Sequence, residues 1–143
     1  MTQSLPPKSL ILYADDDADD IELMEDVFRE YAGILDFVPF KNGQQLLQYL
    51  ERLDSFQPQP CLIILDINMP VLDGKQTLKR LRTMKGYTEV PVVLFTTSSS
   101  EIDKAFADRW DAHFITKPLI YSELEMLANN FLHLCTSSVA QTA

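Results

Sequence analysis

With 143 residues, 46% of them hydrophobic and 23% charged, the chain is one domain's worth of globular sequence. Its 12 basic against 21 acidic side chains leave a net charge of −9, which argues against direct nucleic-acid binding, since that requires a basic stripe. Neither an N-terminal signal pattern nor a run of about 20 apolar residues is present, so a cytoplasmic protein without a membrane span is expected.

In chain order the apolar pattern alternates between short runs and helical spacing. The first run, Leu10 to Ala14, reads as a strand. A helix follows with Ile21, Met24, Phe28 and Tyr31 on one face, capped by Asp19 or Asp20 and closed near Gly33. Leu35 to Phe40 reads as the second strand, and Asn42-Gly43 opens a second helix with Leu46, Leu50 and Leu53 aligned. Pro58 and Pro60 end that connection before the third strand, Cys61 to Leu65. Asp73-Gly74 shapes a turn into a third helix carrying Leu78, Leu81 and Met84. Val90 to Phe95 is the fourth strand, and from about Ser100 a fourth helix carries Ile102, Ala105, Phe106 and Trp110. Ala112 to Thr116 is the fifth strand, and the last helix holds Leu124, Leu127, Phe131 and Leu134. Cys61 and Cys135 make no disulfide framework and are expected as reduced, buried or incidental thiols.

Five strands alternating with five helices predict a doubly wound, flavodoxin-like parallel α/β sheet of order 2-1-3-4-5. Right-handed crossovers bring all strand C-termini to one edge, where ligands of such sheets gather. The first strand ends in Asp15-Asp16, the third in Asp66, the fourth in Thr96 and the fifth in Lys117. Eight acids lie between Asp15 and Asp26, of which Glu22, Glu25 and Asp26 read as a solvated helix face. Clustered carboxylates call for a hard cation, and Mg²⁺ suits them because it takes one or two protein carboxylates and leaves room for phosphate oxygens. The chemistry this permits is phosphoryl transfer to a carboxylate. Asp66 would attack in line while Mg²⁺ and Lys117 neutralise the moving group and Thr96 donates a hydrogen bond. An aspartate of ordinary pKa, about 4, needs no base to activate it.

The chain resembles the receiver domains of two-component response regulators over nearly its whole length. Asp15 and Asp16 match the family's acidic pair, and Asp66 its phosphoacceptor within Asp-x-x-Met-Pro-x-x-Asp-Gly. Thr96 matches the switch hydroxyl, Phe114 the aromatic switch, and Lys117-Pro118 the lysine motif. The resemblance implies a receiver domain over 9–135 with short tails at 1–8 and 136–143. It further implies a Mg²⁺ site of Asp15, Asp16, Asp66 and the backbone carbonyl of Asn68. Asp66 would be phosphorylated by a histidine kinase or histidine phosphotransfer protein in a chain that is a phosphoacceptor and not a turnover enzyme. Movement of Thr96 and Phe114 would change the surface of the fourth helix, fifth strand and fifth helix. That surface would meet a downstream protein or a second copy through Phe106, Trp110 and Tyr121, and with no output module in the sequence it would have to carry the signal. Asn68 and Ser98 flank the site where the family tunes water access. Trp110-Asp111 departs from the Gly-Ala that many members carry before the fifth strand.

Two rivals come from other classes. A phosphatase of the haloacid-dehalogenase type would use Asp15 as nucleophile, with Asp15-Asp16-Asp17 imitating its signature, but no further acidic pair follows Lys117. A calcium loop, Asp15-x-Asp17-x-Asp19, would need Gly where Asp20 stands, Glu where Asp26 stands and a helix before it.

Overall fold

A computed structural model describes residues 8–53 and 58–142, with side chains to Cys135. Residues 1–7 of the expected N-terminal tail, and the side chains of the C-terminal one, lie outside the described residues.

Five strands, β1 (Ser9–Ala14), β2 (Leu35–Phe40), β3 (Pro60–Leu65), β4 (Val92–Thr96) and β5 (His113–Thr116), form one parallel sheet of order β2-β1-β3-β4-β5. This is the predicted flavodoxin-like order, and its C-terminal edge carries the candidate residues. Strands β1, β3 and β4 are buried on both faces, as near-continuous aliphatic runs in a parallel sheet require. Their side chains alternate between two cores. Leu12, Ala14, Ile63, Leu65 and Leu94 pack toward α2 (Gly43–Arg52), α3 (Gly74–Leu81) and α4 (Glu101–Arg109). Ile11, Tyr13, Leu62, Ile64 and Phe95 pack toward α1 (Ala18–Phe28) and α5 (Tyr121–Thr142).

The helix starts follow their caps. Asp17, not Asp19 or Asp20, caps α1: its carboxylate accepts the N–H groups of Asp19 and Asp20, which are themselves helical. That also removes the calcium-loop reading, because residues from Ala18 onward form helix where the loop would continue. Asn42 caps α2, and Asp73 caps α3 in a reciprocal box with Gln76. Helix α3 ends at Leu81, short of Met84. Helix α5 runs on to Thr142 instead of ending near Leu134.

Three expectations need correction. Helix α4 buries Ala107, with Phe106 and Trp110 half-buried, while Ile102 is 76% exposed and Ala105 faces solvent. A short helix leaning on one sheet edge presents a narrow stripe, and both 102 and 105 fall outside it. Phe106 and Trp110 are therefore not free surface: both pack on the core beneath the Lys79 ammonium, 5.8 Å from each ring. Tyr121 is exposed, as expected. Finally, Cys61 and Cys135 are joined in a disulfide, with Cα atoms 4.8 Å apart. The register between β1 and β3 slips by one residue at Cys61, so Cys61 and Leu62 both face α5, where the helix brings Cys135.

The Trp110-Asp111 departure is resolved by the backbone. Asp111 takes a left-handed conformation, φ 56°, at the position where glycine is easiest. The Arg82 guanidinium secures the connection, donating to the carbonyls of Trp110 at 3.0 Å and Asp111 at 2.8 Å, and to Val90 at 2.7 Å.

Candidate functional site

The strand ends converge because each leaves the sheet hydrogen-bonded to its neighbour. Asp66 N–H donates to the Ala14 carbonyl at 2.9 Å, setting Asp66 beside Asp15, and Lys117 N–H donates to the Thr96 carbonyl at 2.8 Å. Gly74 closes the loop behind Asp66, its N–H donating to the Ile67 carbonyl at 2.9 Å. A Cβ at Gly74 would collide with the Asp66 carbonyl and Ile67 Cα, so this approach requires glycine. The turn between them holds Val71 at φ 68°, with Leu72 N–H donating to the Pro70 carbonyl at 2.7 Å.

Carboxylate oxygens of Asp15, Asp16 and Asp66 lie within 4.8 Å of one another. Asp15 is fully buried, Asp66 is buried and Asp16 is exposed, so the cluster opens to solvent on one side. Three carboxylates at that spacing fit a hard divalent cation that keeps some of its waters. Asn68 is exposed two residues beyond Asp66. Lys117 Nζ donates to Asp15 Oδ2 at 2.7 Å and to Asp20 Oδ2 at 2.8 Å, and stands 3.6 Å from Asp66 Oδ1. Thr96 is fully buried, its hydroxyl oxygen accepting the Ser98 N–H at 3.2 Å. Phe114 is half-buried against the α2–α4 core, three residues before Lys117.

Burial raises the Asp66 carboxyl to about 6, with Asp15 and Asp16 adding to the push and Lys117 and the Ile67 N–H opposing it. The expectation of an ordinary aspartate pKa is therefore corrected: without a cation Asp66 is part-protonated in mildly acidic solution. Burial works against the charge on Lys117, yet its hydrogen bonds to Asp15 and Asp20 hold the ammonium above the ordinary lysine value.

Two neighbours escaped the sequence reading. Tyr13, fully buried, donates its hydroxyl to Asp15 Oδ2, and Asp20 supplies the second carboxylate on Lys117. The alternation of β1 does put Tyr13 on an inward position, but its hydroxyl partner depends on a rotamer. Asp20 read as a helix cap. The histidines hold no place in the site: His113 and His133 are exposed.

A family profile described as the response regulator receiver domain matches residues 11–129. Response regulator Rcp1 of a Synechocystis strain is 30% identical over 103 residues, 71% of this chain and 69% of that protein. Chemotaxis protein CheV2 of Helicobacter pylori is 28% identical over 126 residues, 87% of this chain but 39% of the larger protein. Among solved structures, a two-component response regulator from Legionella pneumophila is 31% identical with a TM-score of 0.75, covering 91% of this chain and 99% of that one. The phosphorylated cyanobacterial phytochrome response regulator RcpA superposes with a TM-score of 0.81 at 24% identity, covering 92% and 96%. The fold and the convergent strand ends define a two-component receiver. The chain belongs to the response regulator receiver domain family, whose place is in phosphorelay signalling.

The haloacid-dehalogenase reading gains nothing from these matches. Asp15 is also poorly disposed to attack, since its oxygens already accept from Tyr13, Lys117 and the Asp17 N–H. Among the described residues no helix is long and apolar enough to cross a membrane.

Proposed function

We propose that Asp66 accepts a phosphoryl group from a phosphohistidine of a histidine kinase or histidine phosphotransfer protein. The observation that carries this reading is the meeting of Asp15, Asp16 and Asp66 at one sheet edge with Lys117 3.6 Å from the Asp66 carboxylate. Asp15, Asp16, Asp66 and the Asn68 carbonyl would hold Mg²⁺, which when bound neutralises phosphoryl oxygens and draws the Asp66 pKa back down. An Asp66 oxygen forms the bond to phosphorus while the bond from phosphorus to the imidazole nitrogen breaks, its electron pair leaving with the imidazole. No base is required. Lys117 then pairs with one phosphoryl oxygen and the Thr96 hydroxyl, released from Ser98, donates to another. Phe114 turns into the space Thr96 vacates and remodels the α4–β5–α5 surface, where a downstream protein or a second copy docks. Dephosphorylation by water returns the chain to its start, so it acts as a phosphoacceptor and not as a turnover enzyme. The same reading places its action in the cytoplasm.

Incubation with Mg²⁺ and acetyl phosphate, followed by intact mass, tests the assignment. One phosphoryl adduct in wild type and none in Asp66→Asn is expected. An adduct that persists in Asp66→Asn, or none in a folded wild type, would overturn it.

A further inference from the structure

Lys117 is held by two carboxylates, and the second has no part in the chemistry given above. Asp20 lies in the first turn of α1, three residues after the cap Asp17. A carboxylate at that position ordinarily reaches back to the N–H of the cap residue. Here the Asp17 N–H is taken by Asp15 Oδ1 at 2.9 Å, and Asp20 Oδ2 turns to Lys117 Nζ at 2.8 Å. The two holders are not equivalent. The Asp15 side chain is 0% exposed and fixed from two further sides by Tyr13 and Asp17, whereas the Asp20 side chain is 31% exposed with water as a ready substitute. Between them they keep Nζ 3.6 Å from Asp66 Oδ1, outside hydrogen-bonding reach.

We propose, building on the phosphoacceptor reading above, that Asp20 is a positioning residue that holds Lys117 back in the unphosphorylated chain and yields it when phosphoryl oxygens arrive. With an acyl phosphate donor, an Asp66 oxygen bonds to phosphorus, the P–O bond to the acyl group breaks, and its electron pair leaves on the carboxylate, with no proton exchanged. The lysine N–H that Asp20 accepted passes to a phosphoryl oxygen, and Asp20 takes a hydrogen bond from water. Breaking the Lys117–Asp20 contact is thus part of the barrier, and its recovery favours loss of the phosphoryl group.

The test follows initial phosphorylation by acetyl phosphate and Mg²⁺, read by intact mass over seconds to hours. It compares wild type, Asp20→Ala, Asp20→Glu, Lys117→Met and the Asp20→Ala/Lys117→Met double variant. Asp20→Ala should raise the rate at saturating donor by about tenfold, a hydrogen bond's worth, with the half-saturating donor concentration little changed. Asp20→Glu should restore the wild-type rate, and in the Lys117→Met background Asp20→Ala should change nothing. A rate in Asp20→Ala at or below wild type, or equal acceleration without the lysine, would overturn the proposal. The latter outcome would mean that the charge of Asp20 acts on the donor directly. Thermal unfolding of wild type, Asp20→Ala, Lys117→Met and the double variant without donor reads the hold itself, and no coupling between Asp20 and Lys117 there would also sink it. A folded wild type that takes up no phosphoryl group defeats the phosphoacceptor reading and this inference together. A labelled wild type with unaltered Asp20 variants defeats this inference alone.

Discussion

Arg82 terminates α3 and ties it to the nearby connection before β4 and to the more distant one before β5. Its Nε donates to the Trp110 carbonyl at 3.0 Å, one terminal nitrogen to Val90 at 2.7 Å with Tyr87 at 3.4 Å, and the other to Asp111 at 2.8 Å. Replacing it by alanine strands three close carbonyls. Hydrogen bonds to a charged group contribute about 1.5–3 kcal/mol each when buried. The contact to Asp111 is exposed and the other two part-buried, so water recovers much of that, and a total loss of about 3 kcal/mol is expected. For a domain of this length that corresponds to a fall in Tm of roughly 10 °C. Arg82→Lys, which supplies one point donor for a planar fork, should lose about half as much. Urea unfolding followed by Trp110 fluorescence suits the question, because the indole belongs to the residue that Arg82 holds. Exposed Arg80→Ala is the control and should stay within about 0.5 kcal/mol of wild type. If Arg82→Ala lost less than 1 kcal/mol at an unchanged denaturant slope, the guanidinium would be decoration and the α4–β5 connection would be held by other means.

Asp66 supplies a pH prediction. Its folded pKa, raised to about 6, exceeds the unfolded value of 3.8, so the folded chain binds the extra proton; the stabilisation is full below pH 3.8 and disappears as pH rises through 6. In metal-free protein Asp66→Asn should therefore be more stable than wild type at pH 7, by up to about 3 kcal/mol, with the gap closing below pH 4. A gap that does not depend on pH would refute the assignment of the shift. Gly74→Ala should destabilise by about 1–3 kcal/mol through its collision with the Asp66 carbonyl and should slow acetyl phosphate labelling, whereas normal labelling would show that the loop relaxes freely. Alkylation under denaturing conditions should label Cys61 and Cys135 only after reduction, and reduction should cost about 2–4 kcal/mol in unfolding experiments. Ready labelling of non-reduced, oxidant-exposed protein would count against the bridge.

What could be read from the chain and what could not divides along a physical line. Buried parallel strands leave uninterrupted aliphatic runs such as Leu62 to Leu65, and the residue following each run must emerge at the ligand edge. That is why Asp15, Asp66, Thr96 and Lys117 were found by position alone. The cap Asp17 was missed because Asp17, Asp19 and Asp20 are equivalent on paper and differ only in backbone φ and ψ. The inward face of α4 was misjudged because a short helix at the sheet edge buries only a narrow stripe, in which Ala107 packs and Ile102 does not. Tyr13, Asp20 and Arg82 were invisible because each acts on groups from 2 to 97 positions away through a chosen rotamer. The disulfide depended on a one-residue register slip that no composition argument reaches.

The bridge from Cys61 to Cys135 has a mechanical consequence for the last helix. It bolts α5 to the start of the central strand at a point fourteen residues beyond Tyr121, a reach of about 21 Å along the axis. A rod fastened at one point cannot slide along the sheet, but it can swing. Rotation of only about 5° about that bolt carries the opposite tip through roughly 2 Å, enough to exchange one hydrogen-bond partner for another. That tip is where Tyr121 donates its hydroxyl to Asp26 at 2.5 Å, four residues beyond Lys117. With Leu124, Ala128 and Phe131 packed in the core whether or not the bridge is present, the disulfide adds a fixed centre to any such arc.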